Sequence, residues 1–413
     1  MSLEELIQSL PDSAVRKMNN FQEKKDSLSA YQLARHLIDI KMTQIIPEIF
    51  SNILPIKIRT DETEFYGMLM EIYCFWVNRH YKKNEAINII QDLIERDFAI
   101  NGESYWYFHH RAHIAENLKH NSFEADTFYA LAASKAKGLN LYHITNGIFT
   151  IRPDEYVKEL LTKQEPEFTH RNFKIIDYYK PDRYKDCVYL VCADANYFKL
   201  YSELLINSVI EMEPENIVVH FHIINPDQDC LELAKRLSRL SRTNYSVEYI
   251  NFPDGMIERS KMAYYTTPRY TLIPELMDRY GTDFIVTDID VSIKEKWNNF
   301  LEVTRKHDLA LSSGVLSQQN YYPWTRVSAG LSYFGNNSLS RAYLKIVKKY
   351  ITTFFDFSPS GVNWLIDQNA LWKAHKLLNL TAYDNRVGKI HLAMLVNLAQ
   401  DHPQGKKGFI QKK

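Results

Sequence analysis

At 413 residues the chain exceeds what one hydrophobic core ordinarily serves, so two domains are expected. Its 50 Lys and Arg balance its 50 Asp and Glu, which excludes the basic footprint of a nucleic-acid binder. Hydrophobic residues at 45% exclude a disordered chain. Cys74, Cys187, Cys192 and Cys230 form no Cys-x-x-Cys pair, which argues against a zinc knuckle or a redox dithiol. The chain opens on Glu4 and Glu5 where a signal peptide would carry basic residues. Its longest apolar run, Phe65 to Val77, contains Glu71 and is too short to span a bilayer. A cytoplasmic protein with no transmembrane segment is the expectation.

Up to about residue 165 the sequence reads as helix after helix, and residues 1–170 are assigned to an all-α domain. Ala86, Ile89, Ile90, Leu93 and Ile94 recur at the spacing of one buried helical face. Beyond Asn101 and Gly102 a second helix carries Tyr105, Trp106, Phe108, Ala112 and Ala115. A third, after Asn121 and Ser122, sets Phe123, Ala125, Phe128, Ala132 and Ala136 on one side. The aromatics Tyr105, Trp106 and Phe108 are read as core before they are read as an acceptor-binding surface, because rings commonly fill cores. His109 and His113 stand one helical turn apart but lack the third ligand that zinc requires. With Trp106, Tyr107, Ala125 and Ala132 at its key places, the region resembles a degenerate tetratricopeptide repeat, and an irregular bundle explains the same pattern. Either arrangement implies a scaffold or a platform for an acceptor.

From about Asp186 the texture changes, and residues 180–413 are assigned to an α/β domain. Cys187 to Cys192, Ile217 to Ile224 and Tyr245 to Ile250 read as strands, separated by helices over Tyr201 to Glu211 and Cys230 to Leu240. Alternation of this kind predicts a mainly parallel, Rossmann-like sheet with helices on its faces. Ligands bind such sheets at the carboxyl ends of strands, where Asp194, Asn196, Asp288 and Asp290 fall. Phe284 to Val291 reads as a strand running into the two carboxylates. In extended chain Asp288 and Asp290 point the same way, so they can share a cation. Hard oxygen ligands suit Mg²⁺ or Mn²⁺ held jointly with phosphate oxygens. The competing reading is that the aspartates cap a turn. His220 and His222 share one face of an apolar strand, where packing is expected.

The segment from Met262 to Leu276, with Tyr264, Arg269, Pro274 and Glu275, followed by Tyr280 and the Asp288–Asp290 pair, resembles glycosyltransferase family 8, which has a GT-A fold. Ala193 to Tyr197 is similar to that family's first nucleotide loop. Ser328, Ala329 and Gly330 are similar to its Asn-Ala-Gly turn, and Asp367 to Leu371 to its Asp-Gln-Asp block. The resemblance implies a retaining, metal-dependent transferase that moves a sugar from a nucleotide-diphosphate sugar, a UDP-sugar first among them, to a glycan, lipid-linked glycan or protein acceptor. It places Asp194, Asn196, Arg269, Asp288, Ala329 and Gly330 around the nucleotide sugar, and Asp367 and Gln368 beside the reacting carbon. Asp288, Asp290 and His391 would hold Mn²⁺ or Mg²⁺. The family's late Gly-x-x-Lys-Pro-Trp is missing, and Lys406 or Lys407 would be the substitute diphosphate contact. Thr287 replaces the usual Leu, and Pro268 either interrupts the helix or starts it there.

Three other readings share parts of this pattern. A haloacid dehalogenase-like phosphatase would use Asp288 and Asp290, with Ser312 or Ser313 next, but needs a later acidic pair that the sequence lacks. A nucleotidyltransferase would prefer a Gly-rich first loop, absent around Asp194. An inactive GT-A-like domain joined to a helical interaction module remains open, with the intact carboxylates against it.

Overall fold

A computed structural model of the protein describes residues 10–58, 63–137, 143–163, 174–176, 179–182, 186–212, 214–240, 242–312, 322–380 and 384–398. The chain divides into two compact units: Met1–Asp154 with Ser317–Tyr322, and Glu155–Leu316 with Pro323–Lys413. Among the described residues no helix is long and apolar enough to cross a membrane, and the four cysteines are free and buried.

The first unit contains the helices α1 (Asp12–Lys24), α2 (Ser27–Asp39), α3 (Ile46–Ile53), α4 (Thr63–His80), α5 (Lys83–Asn101), α6 (Tyr105–His113) and α7 (Ser122–Ala136). Local chemistry sets their ends. Gly102, at φ +67°, closes α5 in a backbone conformation that side chains resist, and its N–H returns to the Phe98 carbonyl at 2.8 Å. Ser104 then caps α6 by accepting from Tyr107 N–H at 3.0 Å, and Asn121 caps α7 through Glu124 N–H at 3.2 Å. Ala86, Ile90, Leu93 and Ile94 are buried on α5 as expected, with Ile89 at the margin. Tyr105, Trp106 and Phe108 are core residues. Trp106 lies against the α4 backbone at Gly67, where an added Cβ would fall inside its ring. One expectation fails: Phe123 is 79% exposed, because it sits in the first turn of α7 on the side away from Ala125, Tyr129, Ala132 and Ala136. His109 and His113 are fully buried, and both ring nitrogens of His113 meet side-chain amides, at Asn78 (3.0 Å) and Asn117 (2.8 Å).

The second unit has the expected α/β architecture. α8 (Asp154–Thr162) leads into it, followed by β1 (Lys174–Ile176), β2 (Cys187–Asp194), α9 (Ala195–Glu211), β3 (Ile217–Ile224), α10 (Gln228–Leu240) and β4 (Thr243–Glu248). Next come α11 (Glu258–Thr266), α12 (Pro268–Thr271), α13 (Ile273–Tyr280), β5 (Asp283–Thr287), β6 (Val291–Ile293), α14 (Trp297–Thr304), β7 (Leu309–Ser312), β8 (Ser328–Phe334), α15 (Ser338–Phe354), α16 (Ile366–Leu377), β9 (Val387–Ile390) and β10 (Val396–Leu398). One sheet runs β1-β4-β3-β2-β5-β8-β7-β9, and β6 pairs with β10 separately. Strands β4, β3, β2 and β5 are parallel; β8 runs antiparallel to β5 and β7. The parallel strands are buried on both faces, which is why they read as continuous apolar runs. One face packs Val188, Leu190, Val286 and Leu311 against Leu276 and Tyr343, and the other packs Tyr189, Val191 and Ile285 against Phe198, Leu205 and Trp297.

Two boundaries differ from expectation. β4 begins at Thr243 and ends at Glu248, two residues ahead of the expected Tyr245 to Ile250, because polar side chains occupy its buried positions. The expected single strand Phe284 to Val291 is broken at Asp288–Asp290, so β5 and β6 belong to different sheets.

In the first unit, half-buried Glu71 on α4 accepts a hydrogen bond from the Tyr322 hydroxyl at 2.6 Å, and desolvation pushes its pKa from 4.5 up to about 7. The folded protein therefore holds this proton more tightly than the unfolded chain. Stability from this group is fully present below about pH 4.5 and is lost as pH rises towards about 7. Retained water limits the effect to at most about 3 kcal/mol. Glu71→Gln keeps an acceptor for Tyr322 and removes the charge. Its urea midpoint is expected to exceed the wild type's at about pH 8 and to match it at about pH 4; an equal difference at both would remove this account.

Candidate functional site

Several of the sequence-predicted residues fall at the carboxyl ends of β2 and β5. β2 ends on Asp194, which caps α9 by accepting from Tyr197 N–H at 2.8 Å; Asn196 follows, exposed, in the first turn. Across the sheet, Thr287 is the last residue of β5 and is fully buried. Its hydroxyl donates to the Asp288 carbonyl at 2.8 Å and pairs with the Tyr189 hydroxyl at 2.5 Å. A Leu there could make neither bond, so Thr287 shapes the exit of the strand. Beyond it the chain leaves the sheet, with Ile289 buried between half-exposed Asp288 and Asp290.

Arg269 organises the cluster. Pro268 starts α12 rather than interrupting a longer helix, since its missing N–H costs nothing in a first turn. Arg269, only 3% exposed, follows it. The guanidinium donates to the Asp288 carboxylate and, at 3.4 Å, to Asp367. Burial alone would lower its pKa, but Asp288, Tyr270 and Asp367 outweigh burial and push it up, so the charge is permanent. Burial raises the Asp288 pKa; Arg269 opposes this, while Asp290 and Asp367 add to it. Asp290 is thus close enough to Asp288 to repel it. Asp288 and Asp367 share one guanidinium, and Asp290 stands beside Asp288.

The remaining pieces come from two further elements. β8 pairs Leu331 with Thr287, which carries Ala329 and Gly330 to the level of Asp288. The Tyr270 hydroxyl donates to the Ala329 carbonyl at 2.8 Å and fixes that strand end to α12. α16 supplies Asp367 in its first turn, delivered by Leu365 in the left-handed conformation at φ +66°. A leucine held there stores backbone strain, a feature that clusters at functional sites. Gln368 is anchored: its amide nitrogen donates to the carbonyls of Val327 (3.0 Å) and Trp324 (3.3 Å).

His391 is described, and three further candidates are not. His391 is exposed after β9, and its Nδ1 accepts from Ala393 N–H at 3.1 Å. Lys406, with Lys407 and Ser313, lies outside the described residues. Among the described residues no group of three or more His, Cys, Asp or Glu side chains is arranged to hold a metal ion.

No family model and no curated protein matches the chain. Among solved structures, it is similar to the galactosyltransferase LgtC in complex with donor and acceptor sugar analogues, at 18% identity and TM-score 0.34, over 50% of this chain and 73% of that one. It is similar to the glycosyltransferase GlyE of Streptococcus pneumoniae TIGR4, at 11% and 0.32, over 51% of this chain and 46% of that one. Mouse xyloside xylosyltransferase 1 in its apo form matches at 10% and 0.30, over 52% of this chain and 86% of that one. These structures are glycosyltransferases, the class the sequence motifs resemble.

Removing the guanidinium leaves Asp367, 10% exposed, without its countercharge. Arg269→Met is expected to destabilise the protein by about 3 kcal/mol, and Asp367→Asn in the same chain to recover part of that loss. Urea denaturation of the two single variants and the double variant measures this coupling; strictly additive losses would show that the pair does not interact.

Proposed function

We propose that this protein is a glycosyltransferase that uses a divalent metal, Mn²⁺ or Mg²⁺, to bind a nucleotide-diphosphate sugar and passes the sugar to an acceptor hydroxyl with retention of configuration. A UDP-sugar is the leading donor, and a glycan, lipid-linked glycan or protein the acceptor class. The observation that carries this reading is the adjacent Asp288 and Asp290 at the exit of β5, with Asp288 tied through one buried arginine to Asp367 at the carboxyl edge of the sheet.

The carboxylates fit a Mg²⁺-type ion. Such ions are held by one or two carboxylates together with substrate phosphates rather than in an all-protein cage. Asp288 and Asp290, adjacent at one strand exit, match that pattern, with Asp290, by the family resemblance, as the principal ligand. When bound, the ion would supply Lewis-acid neutralisation of the departing diphosphate. The chain's own residues do the rest. Asp194 and Asn196 offer polar groups to the base or ribose. Arg269 keeps Asp288 and Asp367 in one register. Asp367, fixed between Arg269 and its own helix turn, would orient the donor sugar. Gln368, tied to the turn before β8, sets the distance between α16 and the strand end at Ala329.

Binding of UDP with MnCl₂ is expected to raise the melting temperature by several degrees, since ligand near one hundred times its Kd adds about 2.7 kcal/mol. Asp290→Asn, an isosteric change at a half-exposed position, should remain folded and lose the manganese-dependent part of the shift. An undiminished shift in that variant would contradict the assignment.

A further inference from the structure

His220 and His222 on β3 are fully buried. They form the middle of a hydrogen-bonded chain. The Tyr280 hydroxyl, at the end of α13, meets His220 Nδ1 at 2.9 Å, and His220 Nε2 meets Ser246 Oγ at 2.9 Å. Ser246 Oγ meets His222 Nδ1 at 2.9 Å, and His222 Nε2 meets Glu248 at 3.1 Å. The other oxygen of Glu248 accepts from the Tyr264 hydroxyl on α11. With Glu248 ionised and both imidazoles neutral, one proton assignment satisfies every link: tyrosine to His220, His220 to serine, serine to His222, His222 to carboxylate. Both rings then carry their proton on Nε2. Burial pushes the His220 pKa down to about 3, which keeps that ring neutral.

A polar chain inside a core costs more than aliphatic packing unless each member is satisfied, and then it fixes geometry more tightly than packing does. This chain lies on the face where Val188, Leu190, Ile224 and Met277 pack. Helices α11, α12 and α13 pack on that face, together with α15 and α16. Tyr264 pins α11 and Tyr280 pins α13, and Arg269 lies between the two pins. We propose that the Tyr280–His220–Ser246–His222–Glu248–Tyr264 chain is a positioning device that fastens both flanks of this helical run to β3 and β4, and so sets the place from which Arg269 reaches Asp288 and Asp367 together. Ser246, His220, His222 and Glu248 are positioning residues for the transferase reading. The inference deepens that reading, while its first readout depends on Arg269 alone.

The test uses the full chain with ¹⁵N-labelled arginine. A buried, ion-paired guanidinium gives slowly exchanging Nη protons that report its geometry. Folded Ser246→Ala, which cuts the chain at its centre, is expected to shift or broaden the Arg269 Nη signals, and Ser246→Thr, which keeps the hydroxyl, to restore them. Tyr264→Phe and Tyr280→Phe each remove one oxygen from a pin and should give the same change; they carry the test if Ser246→Ala does not fold. Turnover with a UDP-sugar should fall about tenfold in kcat, at little change in donor KM, in each variant that moves the signals. Unchanged Arg269 signals in the folded variants would overturn the proposal. Signals that move while even the wild type transfers no sugar would support the positioning role and defeat the transferase reading.

Discussion

A guanidinium out of contact with water must find anions, and the anions it finds fix the geometry around it. In this protein Arg269 takes one carboxylate from the exit of β5 and one from the first turn of α16, elements far apart in the chain. Its charge cannot be removed by titration, so both carboxylates are held wherever the surrounding elements place the arginine. Pro268 starting α12, the Tyr270 hydroxyl on Ala329 and the strained Leu365 ahead of Asp367 all bring these pieces to one edge of the sheet. Breaking such a pair by removing one partner is far costlier than its net contribution to stability suggests. The arrangement therefore specifies a site more than it stabilises a fold.

Arg269 is shared: Asp288 and Asp367 both take the one guanidinium, and Asp290 stands beside Asp288. Burial raises the Asp288 pKa in spite of Arg269, and Asp290 and Asp367 add to the rise. The carboxyl edge of a parallel sheet, where this cluster stands, is also where open α/β sheets bind ligands.

Much of the second unit was legible in the sequence because strands buried on both faces leave unbroken apolar runs, as Cys187 to Cys192 and Ile217 to Ile224 do. The Asp288–Asp290 pair was legible because it follows such a run directly. β4 was misplaced by two residues for the opposite reason: Thr243, Asn244, Ser246 and Glu248 are polar yet buried, and partners on other elements satisfy them. No period in the sequence reveals partners of that kind. The same limit hid the histidine chain, where His220 and His222 were expected only to pack. Arg269 stands out in the sequence only through the family resemblance, and its bond to Asp367 joins positions 98 residues apart, which pattern reading cannot supply. Phe123 was placed in the core because its aromatic character outweighed its first-turn position.

The most direct measurement is an anomalous difference map from crystals of the full chain grown with UDP and MnCl₂, collected at the manganese edge. The account predicts a peak against the Asp290 and Asp288 carboxylates, with a diphosphate beside it and Arg269 still bonded to Asp367. A map with UDP bound and no manganese signal at those two side chains, or with nucleotide seated away from the carboxyl ends of β2 and β5, would contradict it.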